Sequence, residues 1–323
     1  MPASSPQKPH TLALLFCVVL CGAMIGPATP GSAAAPRSAP APQPVKAWFD
    51  ARSVCIFPLA AGSLPKSRDE LGSSLADGYQ HALRVPDSGK LVQIHGESYP
   101  ALDSLRIDLS DSSMRTGIKS EKIKPNNKPL SRVGVGNFDL VGSPLLCNDA
   151  KLNLHVHVAD AQLDLEHDRG GKPIMLLADG KDASLQFDAT CEDLQQILLT
   201  DLRAAASPYG LDIVSTTLHL TADSDHSVSV DLHLLTKFAM IPAGMTFKAH
   251  VDIDDQMNAR LTGLSCDGDQ VLGPLIVGLL RPGLAKYEGK SRPLLSFPSP
   301  AMRLRTVQIK VDDSVHLTAA FGS

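Results

Sequence analysis

The feature that most constrains this chain is a period-two alternation of apolar and polar residues that returns again and again after about position 90. Leu152, Leu154, Val156 and Val158 alternate with Lys151, Asn153, His155 and His157. After Ala159 and Asp160 the register reverses, so that Ala161, Leu163 and Leu165 carry the apolar side. One long strand interrupted by a bulge accounts for that reversal. The same alternation runs through Leu185-Phe187-Ala189, Leu218-Leu220-Ala222, Val228-Val230-Leu232-Leu234, Phe247-Ala249-Val251-Ile253, Met257-Ala259-Leu261, Val307-Ile309-Val311 and Val315-Leu317-Ala319-Phe321. Short polar turns separate the runs, at 223–226, Asp254-Asp255 and 312–314. Such spacing predicts antiparallel meanders with one apolar and one wet face.

Helical spacing appears in three places. Arg68 to Leu83 places Leu71, Leu75, Ala76, Tyr79 and Leu83 on one face. Thr190 to Ala206 opens on Thr190-x-x-Asp193, a capping-box pattern, and carries a stripe of Leu194, Ile197, Leu198, Leu202 and Ala205. About Gln270 to Leu280 the chain is apolar almost all round, with a stop expected at Arg281-Pro282-Gly283 and burial expected on most sides. The predicted class is therefore β-rich α+β, a strongly curved antiparallel sheet wrapping one or two amphipathic helices. Residues 46–90 carry the weakest pattern within a single globular unit spanning 46–323.

Ahead of that unit, Lys8 and His10 precede an uncharged run from Thr11 to Gly26, followed by small residues at 31–35. This reads as a signal peptide over 1–33, then a Pro/Ala-rich linker over 34–45. Export to a periplasm or cell envelope is the corresponding expectation. Four cysteines lie beyond the signal: Cys55, Cys147, Cys191 and Cys266. An even count in an exported chain fits two disulfides in any of three connectivities. Cys191–Cys266 with Cys55–Cys147 is the favoured pairing, because Cys191 opens a helix just after a strand and Cys266 ends another strand. Buried thiols are the alternative.

The chemistry-bearing templates fail one by one. Gly263-Leu-Ser265-Cys-Asp267 lacks the final Gly of a nucleophile elbow, and Gly134-Val-Gly136 lacks the third Gly of a dinucleotide loop. His155-x-His157, with Asp160 or His167 nearby, is the best metal pattern, yet alternation places both rings on the wet face; His219 and His233 are placed there too. No cofactor, metal or catalytic residue is assigned. A net charge of −4 with interspersed signs, and 4% aromatic residues, exclude a nucleic-acid surface.

The run Ala183-Ser-Leu-Gln-Phe-Asp-Ala-Thr-Cys-Glu-Asp-Leu194, a strand passing straight into a helix, resembles the LmeA-like phospholipid-binding proteins. So do Gly96-Glu-Ser-Tyr-Pro100 and Leu105-Arg-Ile-Asp-Leu109. The resemblance covers roughly residues 90–265 and implies the TULIP architecture, a lipid tube built by a curved sheet around a helix. The expected lining is Leu154, Val156, Leu185, Phe187, Leu194, Ile197, Leu198, Leu218, Leu220, Val230, Leu232, Phe247, Val251 and Leu261. The expected partner is phospholipid or another acyl ligand, with a membrane surface as a further partner. A non-catalytic envelope interaction module is the alternative, and an exported hydrolase using Ser265 or the His155/His157 pair is the third reading.

Overall fold

The computed structural model describes residues 56–114, 125–126, 128–147, 149–206, 211–238, 241–255, 258–269, 273–285, 287–293 and 303–322. The signal segment 1–33, the linker 34–45, Cys55, Met257 and the start of the Gln270–Leu280 helix lie outside the described residues.

The chain is β-rich, as its alternation predicts. The described strands form two sheets. The larger has eleven strands, with the main order β15-β16-β9-β7-β6-β4-β3. These are β3 (Val92–His95), β4 (Ala101–Asp108), β6 (Ser131–Cys147), β7 (Ala150–His167), β9 (Asp182–Thr190), β15 (Arg303–Val311) and β16 (Ser314–Gly322). The short strands β1 (Ile56–Pro58), β2 (Leu83–Arg84), β5 (Ser113–Met114) and β8 (Pro173–Asp179) attach at its margins. The second sheet is a five-stranded meander in sequence order, β10 (Leu211–Ser224), β11 (Ser227–Phe238), β12 (Ile241–Ile253), β13 (Asn258–Asp269) and β14 (Ser291–Pro293).

Two expectations about the sheets are corrected. The large sheet is mixed, because β4 and β5 both pair with β6 in parallel. Parallel neighbours require a crossover, not a tight turn. The reversal in β7 is also not a bulge against β6. Pairing keeps one register through Val135↔Ala161 and Asn137↔Ala159, with no extra residue on either side. Instead both strands exchange faces at the same level. Val133 and Val135 give way to Phe138 and Leu140 on β6, just as Val158 gives way to Ala161 on β7. Asp160 takes φ 49° there, and a Cβ on the facing Gly136 would lie 2.8 Å from the Asp103 carbonyl oxygen. At this level β7 leaves β9 as its neighbour and takes β8.

The described residues include four helices: α1 (Arg68–Ala82), α2 (Ser88–Leu91), α3 (Cys191–Ala206) and α4 (Gly273–Leu284). In α1 the expected stripe is inward, with Leu71, Leu75, Tyr79 and Leu83 all buried. Its close seat on β1 needs Gly78, since a Cβ there would meet the Pro58 carbonyl oxygen at 2.4 Å. In α4 two expectations fail. The helix runs past Arg281 and Pro282, closing with Ala285 N–H donating to Arg281 O (3.0 Å). It also presents an open face, with Leu275 64% exposed, where all-round burial is expected.

The disulfide expectation Cys191–Cys266 is overturned. Cys191 is a free thiol whose Sγ lies 3.7 Å from Asp312 O beside β16, whereas Cys266 is a free, buried thiol on β13 opposite Phe247. The two residues belong to different sheets, so strand order in sequence does not bring them together. Burial, and secondarily Asp267, push the Cys266 thiol up to about 12 despite Arg281. Cys147 ends β6 and is buried.

Candidate functional site

The apolar faces of both sheets and of α3 converge on one contiguous core. All fourteen expected lining residues belong to it. Leu154 and Val156 come from β7, Leu185 and Phe187 from β9, and Leu194, Ile197 and Leu198 from α3. The small sheet supplies the other seven, from β10 to β13. Thirteen of them are buried and Leu220 is partly buried against the cluster. These positions are closed off in this structure, since none of those thirteen keeps more than 8% of its surface.

The helix α3 is the piece that joins the two halves. Its start is fixed on the large sheet: Thr190 Oγ1 accepts from Asp193 N–H (3.0 Å) and donates to Asp193 Oδ2 (2.6 Å). The second carboxylate oxygen of Asp193 accepts from Lys151 N–H on β7 (2.8 Å), so the cap also docks the helix. Further on, α3 covers the open edge of β10. Leu218 N–H donates to Gln195 Oε1 (3.1 Å), and Arg203 donates through Nε to Ile213 O (2.8 Å) and through Nη2 to Val214 O (3.0 Å). An edge strand left bare is a template for unwanted pairing, and these side chains occupy its backbone groups. Replacing Arg203 with alanine is expected to destabilise the protein by about 1 kcal/mol, read from the urea midpoint. A change within about 0.3 kcal/mol would mean that the edge bonds are matched by water.

Sequence reasoning missed a carboxylate that intrudes on this interior. Asp201 stands seven residues, close to two helical turns, after fully buried Leu194, and so lies on the centre of the stripe made by Leu194, Ile197, Leu198 and Leu202. It is half-buried and makes no hydrogen bond or ion pair to any described residue. Burial alone pushes its carboxyl up from 3.8 to about 6. The signal was present in the sequence as a carboxylate at stripe spacing, but periodicity counts apolar positions and passes over it.

On the wet faces, histidines pair with aspartates across strands. His155 Nε2 (3.1 Å) and His157 Nδ1 (2.9 Å) both meet Asp139 Oδ1 on β6. Although burial opposes it, hydrogen bonding to His157 and His155 holds the Asp139 carboxyl below its usual range. The expected neighbours Asp160 and His167 are not the partners. Among the described residues no group of three or more His, Cys, Asp and Glu is arranged to hold a metal ion.

A depression of about 400 Å³ lies on the outer face of the small sheet, lined by His219, Ser229, Asp231, Lys248 and His250 among others. His250 sits between Asp223 (Nδ1, 3.0 Å) and Asp252 (Nε2, 3.1 Å), and Ser229 Oγ donates to Asp223 Oδ2 (2.7 Å). A general base needs a nitrogen free to receive the serine proton. Ser229 Oγ also lies 3.3 Å from His250 Nδ1, but that nitrogen is nearer Asp223, both ring nitrogens face carboxylates and the shorter serine bond goes to Asp223, so the arrangement is a cross-strand polar network. His233 is tied to Thr246 Oγ1 (3.1 Å). Ser265 is exposed on β13, in the other sheet from His155 and His157 on β7. The hydrolase reading gains no assembled site from these groups.

Compared with protein-family models, with curated proteins and with solved structures, the chain matches none.

Proposed function

We propose that the protein is an exported lipid-binding protein that takes an acyl chain into the apolar seam between its two sheets beside α3, serving lipid transport or homeostasis in the envelope. The observation that carries this reading is the composition and origin of the seam. The fourteen residues are eight Leu, three Val, two Phe and one Ile, drawn from α3 and from two sheets that share no strand pairing among the described residues. A side-chain contact between separate sheets can part without breaking a ladder of backbone hydrogen bonds; besides that contact, Ile309 N–H on β15 donates to Asp225 O (2.9 Å), and α3 connects β9 to β10 along the chain. In the loaded form the sheets would curve about α3, as in a TULIP-type tube.

The energetics are adequate. Burial of acyl CH2 groups contributes ~0.8 kcal/mol each, so a chain of about 16 carbons gains on the order of 10 kcal/mol before ordering costs. Part of that gain is offset by opening a seam that is closed when empty. Among the described residues no helix is long and apolar enough to cross a membrane.

The closed state of the seam favours a second reading, an envelope interaction module whose aliphatic residues serve only as core. Native mass spectrometry with lipid extraction, on protein exported to a periplasm, separates the two. A stoichiometric adduct of lipid mass is the expected result. A clean unliganded mass, unchanged after incubation with envelope lipids, would leave the interaction module as the better reading.

A further inference from the structure

We propose that α4 docks the protein onto an anionic bilayer surface, with Leu275 entering the lipid layer and Arg281 meeting the headgroups. The choice of a membrane rests on the lipid-binding reading above, and the docking face is separate from the seam.

The helix Gly-Pro-Leu-Ile-Val-Gly-Leu-Leu-Arg-Pro-Gly-Leu holds one cation and no acidic residue. A helix apolar on nearly every side has no polar face to give to water. The fold covers one side of it. Gly273, Val277 and Leu284 are buried, and Val277 and Leu284 join the core. Pro274, Leu275, Gly278, Arg281 and Pro282 are exposed, and helical spacing sets them together on a face turned away from the core. Leu275 keeps 64% of its surface, and a Cβ on Gly278 would meet no atom within 4 Å, so the middle of this face lies open. Ile241, 42% exposed, stands at the same end of the small sheet. It starts β12 three residues before Gly244, whose carbonyl oxygen would lie 2.6 Å from a Cβ on Gly273 at the start of α4. Two of the three exposed large apolar side chains among the described residues are thus at this end.

Charge selects the occupant. From Gly273 to Pro293 the sequence holds four cations, Arg281, Lys286, Lys290 and Arg292, against one acid, Glu288. The whole chain has the opposite balance, −4. Glu288 is engaged within the fold, where its two oxygens accept from Gly263 N–H (3.0 Å) and Leu264 N–H (2.8 Å). Arg281 and Lys290 are exposed. The acids that end β13, Asp267 and Asp269, alternate with buried Cys266 and so point to the outer polar face of the sheet. An aliphatic face with cations beside it suits an anionic bilayer: the apolar part enters the boundary between headgroups and acyl chains, and the cations stay with the phosphates. A second copy docking by the same patch would set these cations against their equals. With 12 residues, α4 is too short to span a bilayer and would lie on its surface.

The test uses the full chain recovered after export to a periplasm, with vesicles of phosphatidylcholine alone or with about a quarter phosphatidylglycerol. Co-sedimentation should show binding to the mixed vesicles at least about fivefold tighter than to the neutral ones. Leu275→Asp should weaken that binding about tenfold or more, and Arg281→Gln about fivefold on the mixed vesicles only. Both side chains are exposed, so both variants should keep the wild-type urea midpoint; Leu275→Ser takes the place of the aspartate variant if that midpoint moves. Absence of vesicle binding, equal binding to both compositions, or mixed-vesicle binding that either variant leaves unchanged overturns the docking face. So does a wild-type dimer in sedimentation velocity that Leu275→Asp turns into a monomer, since a second copy then covers α4. Lipid extraction reads the seam and vesicle binding reads α4. A lipid adduct without vesicle binding removes this inference alone, and vesicle binding that Leu275→Asp weakens, without an adduct, removes the seam alone.

Discussion

Replacing Glu166 with alanine is expected to destabilise the protein by about 3 kcal/mol, the largest loss at any polar position considered. Glu166 is 1% exposed at the end of β7. Its two carboxylate oxygens accept from the backbone N–H groups of Asn126 (2.8 Å) and Lys128 (2.9 Å). The following segment is then laid against β7, where Leu130 N–H donates to Leu165 O (2.9 Å) and Pro125 bridges to Asp168. Alanine leaves two donors without an acceptor, and each unsatisfied group costs ~1–3 kcal/mol. It also opens a void in a well-packed layer beside Leu165. Glu166→Gln keeps one oxygen and turns an N–H towards a donor, so an intermediate loss of about 1–2 kcal/mol is expected. The readout is the urea midpoint at constant m-value. An alanine variant within about 0.5 kcal/mol of the wild type would show that water satisfies both amides and that the clamp contributes nothing.

The strands were legible because alternation is local: two neighbours of a residue already reveal which face it occupies. Every alternating run from Leu152 to Phe321 lies in a strand, apart from Met257, which is outside the described residues, and the Arg68 and Thr190 helices begin within a residue of their expected positions. What alternation does not carry is the identity of the neighbour. The reversal at Asp160 was visible in β7, but its cause needs β6, where Gly136 reverses at the same level. The return of β16 to pair with β9, and the parallel seating of β4 on β6, follow from long-range packing. Cysteine pairing failed for the same reason, since Cys191 and Cys266 were judged by order along the chain and belong to different sheets. His155 and His157 were placed correctly on the wet face, yet their partner Asp139 lies on the adjacent strand and has no spacing signature. The fourteen residues expected to line a cavity share one core because an apolar face is a local property summed over strands. Asp201 was missed because a helical stripe tolerates one polar member without losing its period.

That polar member makes the second large effect testable by pH. Because the native carboxyl of Asp201 titrates near 6, above its ordinary value of 3.8, the native state holds its proton more tightly than the unfolded chain does. Stability contributed by this group is therefore fully present below about pH 4 and is lost as pH rises towards 6, the reverse of an ordinary ion-paired aspartate. Allowing for screening at a partly exposed side chain, the loss is on the order of 2 kcal/mol. Asp201→Asn removes the titration. The variant should exceed the wild type by about 2 kcal/mol at pH 7.5, and the two should converge near pH 4. Asp139 and Asp108, both held below the usual range, titrate beneath this window and do not mask it. Urea unfolding at the two pH values decides the matter, and an asparagine variant with the same advantage at both would refute a desolvated carboxylate as the cause. A residue that lowers stability at neutral pH while sitting on the inward stripe of the helix between the sheets is what a binding group is expected to be.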